Sequence, residues 1–267
     1  MQFGEKVLEK LRLRPDQKYI AYVGPFETWE LAVESSDGYD SPYVLKKVRE
    51  GVLRVLQKER AYERDGTAFV SMPRKYTLRS QIKALLRRDS VIVDFGGGLG
   101  GTFVNNRDLF SLDWDGSYYV VEQIGFCKTG CEISAKYNLP IRFVENISQI
   151  TLSPDIFIFS GVLSHISDWH KVVSDALKLK PRFVIVDRQR LTNGETQIYV
   201  QENGSYYEGK ANYPSRVINK VEFMAVFSEY KVVEEWQSDF DPAGFQGFLL
   251  QLTPSPLMIQ GQDLGSN

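Results

Sequence analysis

Features that would assign this chain to a class at once are scarce. It has two cysteines among 267 residues, Cys127 and Cys131, and no histidine or third cysteine is spaced to complete a zinc site with them. It has no apolar run of about 18 residues, and the start from Met1 to Lys6 lacks the apolar core of a signal peptide. We therefore expect a cytoplasmic protein without membrane insertion or a metal site, whose thiols are buried or idle.

A surplus of positive charge is also lacking. The formal net charge is −2 and the pI is near 5.9, which gives no electrostatic case for binding nucleic acid or an anionic membrane. Apolar residues make up 43% of the chain and charged residues 25%, as in an ordinary globular protein. The length suits one large domain, or one domain with a substantial extension.

Strand-like and helix-like segments alternate from residue 90 onward. Strands are predicted at Val91 to Phe95, Tyr118 to Glu122, Ile141 to Val144, Asp155 to Ser160 and Phe183 to Asp187. Helices are predicted at about Gly101 to Phe110, Phe126 to Tyr137, Asp168 to Leu179 and Asn219 to Tyr230. This alternation predicts an α/β fold with a doubly wound, mostly parallel sheet.

The two ends of the chain differ from this pattern. Near the C-terminus, Lys231 to Phe240 and Phe245 to Leu252 are predicted strands joined by Asp-Pro-Ala-Gly, which makes them an antiparallel hairpin. Near the N-terminus, amphipathic helices are predicted at residues 44 to 64 and 77 to 88. We expect a helical N-terminal cap at 1–75, a cofactor-binding domain at 76–253 and a frayed tail at 254–267.

The first predicted core strand ends in a glycine-rich loop that points to a nucleotide-like cofactor. Gly96-x-Gly98-x-x-Gly101 fits the dinucleotide pattern, whereas Asp94-x-Gly96-x-Gly98-x-Gly100 resembles motif I of the class I S-adenosylmethionine methyltransferases. An acid two residues before the first glycine would repel a pyrophosphate, but S-adenosylmethionine has no phosphate and carries an ammonium and a sulfonium. The loop therefore favours S-adenosylmethionine, and the terminal hairpin agrees, because the dinucleotide fold is normally all parallel in its core.

Further cofactor contacts are predicted where the next strands end. Glu122 ends the second strand, where an acid accepts hydrogen bonds from both ribose hydroxyls, in methyltransferases and nicotinamide enzymes alike. Glu145 follows the third strand at a position suited to an adenine contact. Ser160 ends the fourth strand over the same crevice.

Three residues are candidates for chemistry. His165, after the fourth strand, has the residue type to act as a general base at neutral pH, or else caps a turn and supports the pocket. Asp187 stands at the end of the fifth strand, and Tyr213 lies in the tyrosine-containing segment from Gln189 to Pro214. That segment is either a loop lining a substrate pocket or a β-hairpin around Gln197 to Gln201.

Several stretches together resemble a bacterial methyltransferase family that is associated with polysaccharide biosynthesis loci. They are Trp29 with Gly38-Tyr39-Asp40, Ala61 to Asp65, Val93 to Gly100, Val120 to Gln123, Val162 to His165, Val186 to Arg188, and Gln201 with Tyr213-Pro214. The resemblance implies a Rossmann-like class I methyltransferase fold with a mostly parallel seven-stranded sheet and a helical N-terminal cap. It also implies cofactor contacts at Asp94, Gly96, Gly98 and Glu122. The sequence departs from the family at Gly98 and Gly101, where small hydroxyl residues are more common.

The charged cluster Tyr62-Glu63-Arg64-Asp65 belongs to this resemblance. It is interpreted either as a helix end that folds over the cofactor crevice or as an exposed, salt-bridged helix end.

The sequence thus predicts a methyltransferase that acts on oxygen or nitrogen of a small-molecule or glycan-linked acceptor. Two alternatives stay open: a nicotinamide-dependent enzyme on nucleotide sugars, and a catalytically inactive module that binds the cofactor. A nucleic-acid substrate is disfavoured, because no Asn-Pro-Pro-Tyr-like sequence follows the fourth strand and the chain has no Pro-Cys nucleophile.

Overall fold

A computed structural model describes residues 20–38, 42–111, 113–202, 211–238 and 245–253. The helices are α1 (Trp29–Glu34), α2 (Pro42–Leu56), α3 (Thr77–Leu85), α4 (Gly101–Asn106), α5 (Ile124–Tyr137), α6 (Trp169–Lys178) and α7 (Lys220–Ala225). The strands are β1 (Ala21–Phe26), β2 (Tyr62–Arg64), β3 (Thr67–Phe69), β4 (Val91–Phe95), β5 (Ser117–Val121), β6 (Ile141–Val144), β7 (Ile156–Ser160), β8 (Phe183–Thr192), β9 (Gln197–Glu202), β10 (Asn212–Asn219), β11 (Tyr230–Gln237) and β12 (Phe245–Leu252). The predicted tail and the Asp-Pro-Ala-Gly turn lie outside the described residues.

The core is a mixed sheet in the order β6-β5-β4-β7-β8-β12-β11. The first five of these strands pair in parallel, β12 is antiparallel to β8, and β11 is antiparallel to β12. This confirms the predicted mostly parallel sheet with an antiparallel C-terminal hairpin, but the described sheet has ten strands rather than the predicted seven, because β1, β9 and β10 extend it. Within the described residues, no helix is long and apolar enough to cross a membrane.

The central strands are apolar because both faces of the sheet are covered. Successive side chains of a strand point to opposite faces. In β7, Phe157 and Phe159 therefore pack in one buried cluster, with Trp169 and Phe223, whereas Ile156 and Ile158 pack in the other. The sheet edge formed by the carboxyl ends of these strands stays open to a ligand.

In its described part, the segment from Gln189 to Pro214 is largely strand rather than loop. β8 continues to Thr192 and pairs there in parallel with β10, while β9 lies antiparallel between β10 and β1. The hairpin interpretation is therefore right for this segment. These three strands, β1, β9 and β10, form an extension of the core sheet beside the carboxyl end of β7.

The N-terminal region differs from the predicted helix at 44 to 64. α2 ends at Leu56, because Lys58 adopts the left-handed conformation (φ 63°), while the amides of Glu59 and Arg60 bond back to the Arg54 carbonyl. The following residues form the β2–β3 hairpin around Asp65 and Gly66, both with positive φ. The described part of the N-terminal region thus contains strands as well as helices.

Two other predicted helices are shorter in the structure. The helix after the glycine loop ends at Asn106 and continues as a 3-10 turn through Arg107–Leu109. The helix predicted from Asn219 to Tyr230 ends at Ala225, after which the amides of Phe227 and Tyr230 make turn bonds to Met224 and Phe227.

Candidate active site

A crevice of about 380 Å³ lies at the carboxyl ends of β4, β5, β7 and β8. That volume is in the range of small-molecule sites in proteins. α2 and the β2–β3 hairpin form one wall, and β9 and β10 contribute another. The polar residues that line it include Tyr62, Glu63, Asp65, Tyr76, Asp94, Glu122, Ser160, Asp187, Arg188, Gln201 and Tyr213.

The glycine loop brings bare backbone to the floor of the crevice. Gly96, Gly98 and Gly100 have φ values of 69°, 59° and 80°, which side chains rarely allow. A Cβ on Gly96 would lie 2.4 Å from Cγ2 of Val162. Alanine at this position would therefore clash with Val162 as well as strain the backbone.

Asp94 lies beneath this loop, near the end of β4, and is only 1% exposed. Its Oδ2 accepts a hydrogen bond of 3.1 Å from the Tyr118 hydroxyl, and a Cβ on Gly97 would lie 2.6 Å from the same carboxylate. Burial raises the pKa of Asp94 to about 6, although hydrogen bonds from Thr102 and Tyr118 favour its charged form.

Glu122 follows the neighbouring strand β5 and is hydrogen-bonded to the glycine loop. Its Oε1 accepts from the Gly98 amide at 3.1 Å, and its Oε2 accepts from the Gln123 amide at 2.9 Å. Burial raises the pKa of Glu122 to about 7, against the effect of these two backbone hydrogen bonds. Glu122 therefore presents a carboxyl group at the position where a ribose is expected.

A third carboxyl group, that of Glu63, reaches the crevice from β2. Its Oε1 accepts from the Gly66 amide at 2.7 Å, and a Cβ on Gly101 would lie 2.6 Å from its Oε2. Burial raises the pKa of Glu63 to about 8. The cluster Tyr62 to Asp65 therefore meets the crevice, but from a hairpin rather than from a helix end.

Arg188 crosses the carboxyl end of β7. Its Nη1 donates to Asp65 Oδ2 at 2.8 Å, and its Nη2 donates to the Ser160 carbonyl at 3.4 Å. The bare Gly161 makes room, because a Cβ there would lie 2.8 Å from Nη2. Arg188 thus ties the hairpin to β7 and β8 across the crevice.

The structure brings two of the three predicted catalytic residues to the crevice. Asp187 is buried on β8, and its Oδ1 accepts from Trp236 Nε1 at 3.1 Å. Tyr213 is buried on β10, and its hydroxyl accepts from Gln201 Nε2 at 3.3 Å. Both line the cavity.

His165 lies behind Tyr213. The two rings meet edge to face, with their centroids 4.9 Å apart. Nδ1 of His165 is 3.0 Å from the Pro214 carbonyl oxygen, and since a carbonyl only accepts, this nitrogen carries the proton in the neutral ring. Burial lowers the pKa of His165, so the neutral ring is favoured.

The predicted cofactor residues fall into two groups. Asp94, Gly96, Gly98, Glu122 and Ser160 line the crevice. By contrast, Gly100 packs beside Ile141 at the start of α4, and Glu145 is exposed after β6, its amide donating to Gln149 Oε1 at 2.8 Å. These two lie outside the cavity lining.

Within the described ranges, no group of side chains forms a site for metal or thiol chemistry. No group of three or more His, Cys, Asp or Glu side chains there could hold a metal ion. Cys127 is buried and Cys131 is exposed, and both are free thiols.

The sequence matches no family model and no curated protein. Solved structures of similar fold include the mitomycin 7-O-methyltransferase MmcR, at 16% identity and a TM-score of 0.44, covering 66% of this chain. The chain spans about half of that protein, 53% of its length.

For two further solved structures, the match covers most of the length of the matched protein. The Burkholderia thailandensis 1,6-didemethyltoxoflavin-N1-methyltransferase, solved with S-adenosylhomocysteine, is 14% identical over 90% of this chain and 97% of its own, with a TM-score of 0.49. The amino pentose methyltransferase CalS10 from Micromonospora echinaspora, solved with S-adenosylmethionine, is 9% identical over 66% of this chain and 89% of its own, with a TM-score of 0.44. Likeness at these values carries no information about reaction or substrate.

Proposed function

We propose that this protein is an S-adenosylmethionine-dependent methyltransferase that acts on oxygen or nitrogen of a small-molecule or glycan-linked acceptor. The observation that carries the proposal is the acidic floor of the crevice, where Asp94 lies under the glycine loop and Glu122 closes it. A sheet of class I order, with its antiparallel terminal hairpin, supports the same conclusion.

The charge of the crevice supports this cofactor over a dinucleotide. Glu63, Asp94 and Glu122 all line it, and burial raises the pKa of each, to about 8, 6 and 7. A ligand with an ammonium and a sulfonium stabilises their charged forms, whereas a pyrophosphate is repelled. When bound, S-adenosylmethionine supplies a methyl group on a sulfonium, and its transfer disperses charge rather than creating it.

Each cofactor residue has a role that its position supports. Glu122 accepts the ribose hydroxyls, and the bare backbone at Gly96 and Gly98 lets the ligand approach the loop closely. Asp94 orients the methionyl end. Contacts of Gly100 and Glu145 with the cofactor stay predictions. Because of their places in the fold, each residue would act indirectly or would need a ligand that extends beyond the crevice.

The acceptor end of the crevice is defined by Ser160, Asp187, Arg188, Gln201 and Tyr213. These hydrogen-bonding side chains suit an acceptor rich in hydroxyl or amino groups. In this proposal Asp187 takes the proton that such a group must lose, and Tyr213 orients the group. His165 acts through Tyr213, as the support for its ring. A role in polysaccharide biosynthesis rests on the family resemblance.

The cofactor assignment is tested by calorimetric titration with S-adenosylhomocysteine. Asp94→Asn and Glu122→Gln keep the side-chain shape but remove the charge, so each should weaken binding by about tenfold to a hundredfold. Glu229→Gln, an exposed carboxylate paired with Lys180, serves as the matched control and should bind as the wild type does. Saturable binding of NADH without binding of S-adenosylhomocysteine would overturn the proposal.

A nicotinamide enzyme on nucleotide sugars would need a Tyr-x-x-x-Lys pair at its site. The sequence has this spacing at Tyr43 and Lys47 on α2, but neither side chain is part of the crevice lining. A second instance, Tyr206 and Lys210, lies outside the described residues. The acidic crevice therefore remains the stronger guide to the cofactor.

A cofactor-binding module without turnover is distinguished by activity. Cell extract incubated with the protein and methyl-labelled S-adenosylmethionine should become labelled, and Asp94→Asn should abolish the labelling. Intact binding of the cofactor with no labelled component in any extract would favour the inactive module.

A further inference from the structure

A second cavity shares a wall with the crevice. It is open to solvent and has a volume of about 660 Å³, and Tyr76 and Asn105 line both cavities. We name it the basic groove, after its five cationic residues Lys58, Arg60, Arg74, Arg79 and Arg107. Glu59 and Asp108 are the two acidic residues of its lining. The cofactor and its transfer chemistry make no use of this cavity.

Arg79 is the cation of this groove that forms an ion pair within the described residues. Arg79 donates to both oxygens of Asp108, at 2.9 and 2.6 Å, and to Asn106 Oδ1 at 3.1 Å. In the part of the chain that the structure describes, the other four form no ion pair with any carboxylate. The groove therefore carries a local positive charge on a protein whose net charge is −2.

Apolar side chains surround these charges. Val55, Val70, Met72, Pro73 and Val104 line the same groove. Low-dielectric walls around charges of one sign focus the field, which raises the local concentration of an anionic ligand. The planar guanidinium groups are also suited to pair with the oxygens of a phosphate.

The backbone conformation of Lys58 is a further indication that the groove binds an anion. This residue has a φ of 63° at the end of α2, where glycine is the usual choice. A lysine there is more strained than a glycine would be, because its Cβ crowds the following carbonyl oxygen. The strained position holds an exposed ammonium group at the groove, which a glycine would not supply.

The shared wall connects the groove with the acceptor end of the crevice. Tyr76 is close enough to Asp187 and Arg188 that their charges act on its hydroxyl. A molecule held in the groove thus lies beside the residues that receive the methyl acceptor. The two cavities also have opposite charge, since the crevice is acidic and the groove is basic.

From this arrangement we infer that the basic groove binds the phosphate or diphosphate group of the methyl acceptor, an inference that rests on the proposed function. The acidic crevice takes the cationic methyl donor, and the basic groove anchors the anionic part of the acceptor. Two sources of this chemistry are soluble phosphate esters and lipid-linked phosphates, and both present the same group to the groove.

The test uses inorganic pyrophosphate as the probe, in calorimetric titrations of the full chain at low salt. Wild-type protein should bind it saturably, and raising the ionic strength should weaken binding. Arg74→Ala and Arg107→Ala each remove one exposed cation, and each should weaken binding by about tenfold. Arg182→Ala is the matched control, because Arg182 is exposed at the opposite end of β8, and it should bind as the wild type does.

The lipid source is tested with vesicles. Vesicles of phosphatidylcholine with phosphatidic acid should bind the wild type, and bind Arg74→Ala less, if the phosphate is lipid-linked. Pyrophosphate binding without vesicle binding assigns a soluble ester, and the inference stands. No saturable pyrophosphate binding, or equal loss in Arg74→Ala and Arg182→Ala, would overturn it.

A parallel titration of every variant with S-adenosylhomocysteine separates this inference from the cofactor proposal. The groove variants should bind S-adenosylhomocysteine as the wild type does. If that ligand binds and pyrophosphate does not, the groove inference fails and the cofactor assignment stands. If pyrophosphate binds and S-adenosylhomocysteine does not, the cofactor assignment fails.

Discussion

Single residues in the crevice hold carboxyl groups that are partly protonated near neutral pH. Burial raises the pKa of Glu63, Asp94 and Glu122, to about 8, 6 and 7. A cationic ligand that stabilises the charged forms lowers these pKa values, and so its binding releases protons. The average charge of the three carboxyl groups at pH 7 therefore understates how strongly the crevice favours a cation.

Glu63 makes the free protein less stable as the pH rises. The folded-state pKa of about 8 lies above the ordinary value of 4.5, so between these values the folded protein holds a proton that the unfolded chain has lost. Because Glu63→Gln does not titrate, its free energy of unfolding relative to the wild type should rise between pH 5 and 8, by up to about 1.4 kcal/mol per pH unit. Urea unfolding at four pH values measures this difference.

The exposed Glu229→Gln is the control for this titration, and its difference from the wild type should stay constant over the same range. A Glu63→Gln curve parallel to the wild-type curve would mean that Glu63 ionises normally in the folded state.

The sequence predicted best the positions of residues that lie only a few residues from the end of a strand. Asp94, Gly96, Gly98 and Glu122 lie in the crevice because a parallel sheet places the ends of β4 and β5 side by side. For Glu63 the sequence leaves open whether its cluster folds over the crevice or is an exposed helix end, because its place depends on a hairpin that the helical pattern conceals.

At the scale of elements, the β2–β3 hairpin is the main departure from the sequence prediction. Tyr62 falls in phase with the apolar face of α2, so periodicity extended the helix to residue 64. The contrary signal was Asp65-Gly66, which favours a two-residue hairpin turn with positive φ at both positions. The end of the helix was harder to predict, because Lys58 occupies the left-handed position that glycine usually marks.

Asn105 on α4 binds the hairpin through two hydrogen bonds. Oδ1 of Asn105 accepts from the Glu63 amide at 2.9 Å, and its Nδ2 donates to the Glu63 carbonyl at 2.7 Å. Asn105→Ala should therefore lower the free energy of unfolding by about 2 kcal/mol and speed amide hydrogen exchange in residues 62–69. Hydrogen exchange followed by mass spectrometry measures the local effect.

Asn219→Ala is a matched control for the hairpin variant. Asn219 also makes two side-chain hydrogen bonds, to the Glu222 amide at 2.9 Å and to the Gly194 carbonyl at 2.7 Å. Its loss should speed exchange near α7 and leave residues 62–69 unchanged. Equal exchange at 62–69 in Asn105→Ala and wild type would contradict the tether.

Across the whole molecule, the core sheet was predictable and its extension was not. The core strands follow one another along the chain as apolar runs, and five of them pair in parallel as the alternation predicts. The extension instead joins β1 to β9, strands separated by most of the chain, and no local pattern encodes that pairing. The sequence allowed the hairpin around Gln197 to Gln201 as one of two interpretations, but it gave no sign that β1 pairs with this hairpin.

The terminal hairpin contacts the crevice residue Asp187 through Trp236. Its ring crosses β12 over the bare Gly247, where a Cβ would lie 2.1 Å from the indole, and its Nε1 donates to Asp187. Trp236→Phe keeps a ring over Gly247 but loses this donor. We expect methyl incorporation to fall about tenfold while S-adenosylhomocysteine binding is unchanged, measured with labelled cofactor and cell extract.

Trp114→Phe is the control, because within the described part of the chain the buried Nε1 of Trp114 has no hydrogen-bond partner. Its methyl incorporation should match that of the wild type. Full activity of Trp236→Phe would contradict the proposed role of Asp187 at the acceptor site.

The pairing of β1 with β9 also constrains the order in which the molecule is built. Ala21 lies opposite Glu202, so five of the seven core strands, β4 to β8, are synthesised before the strand that pairs with β1 exists. Contacts between such distant parts of a chain form late, because a long loop must close first. β9 carries Gln201 to the crevice, so we expect the proposed acceptor end to be completed after the glycine loop and Glu122 have assembled.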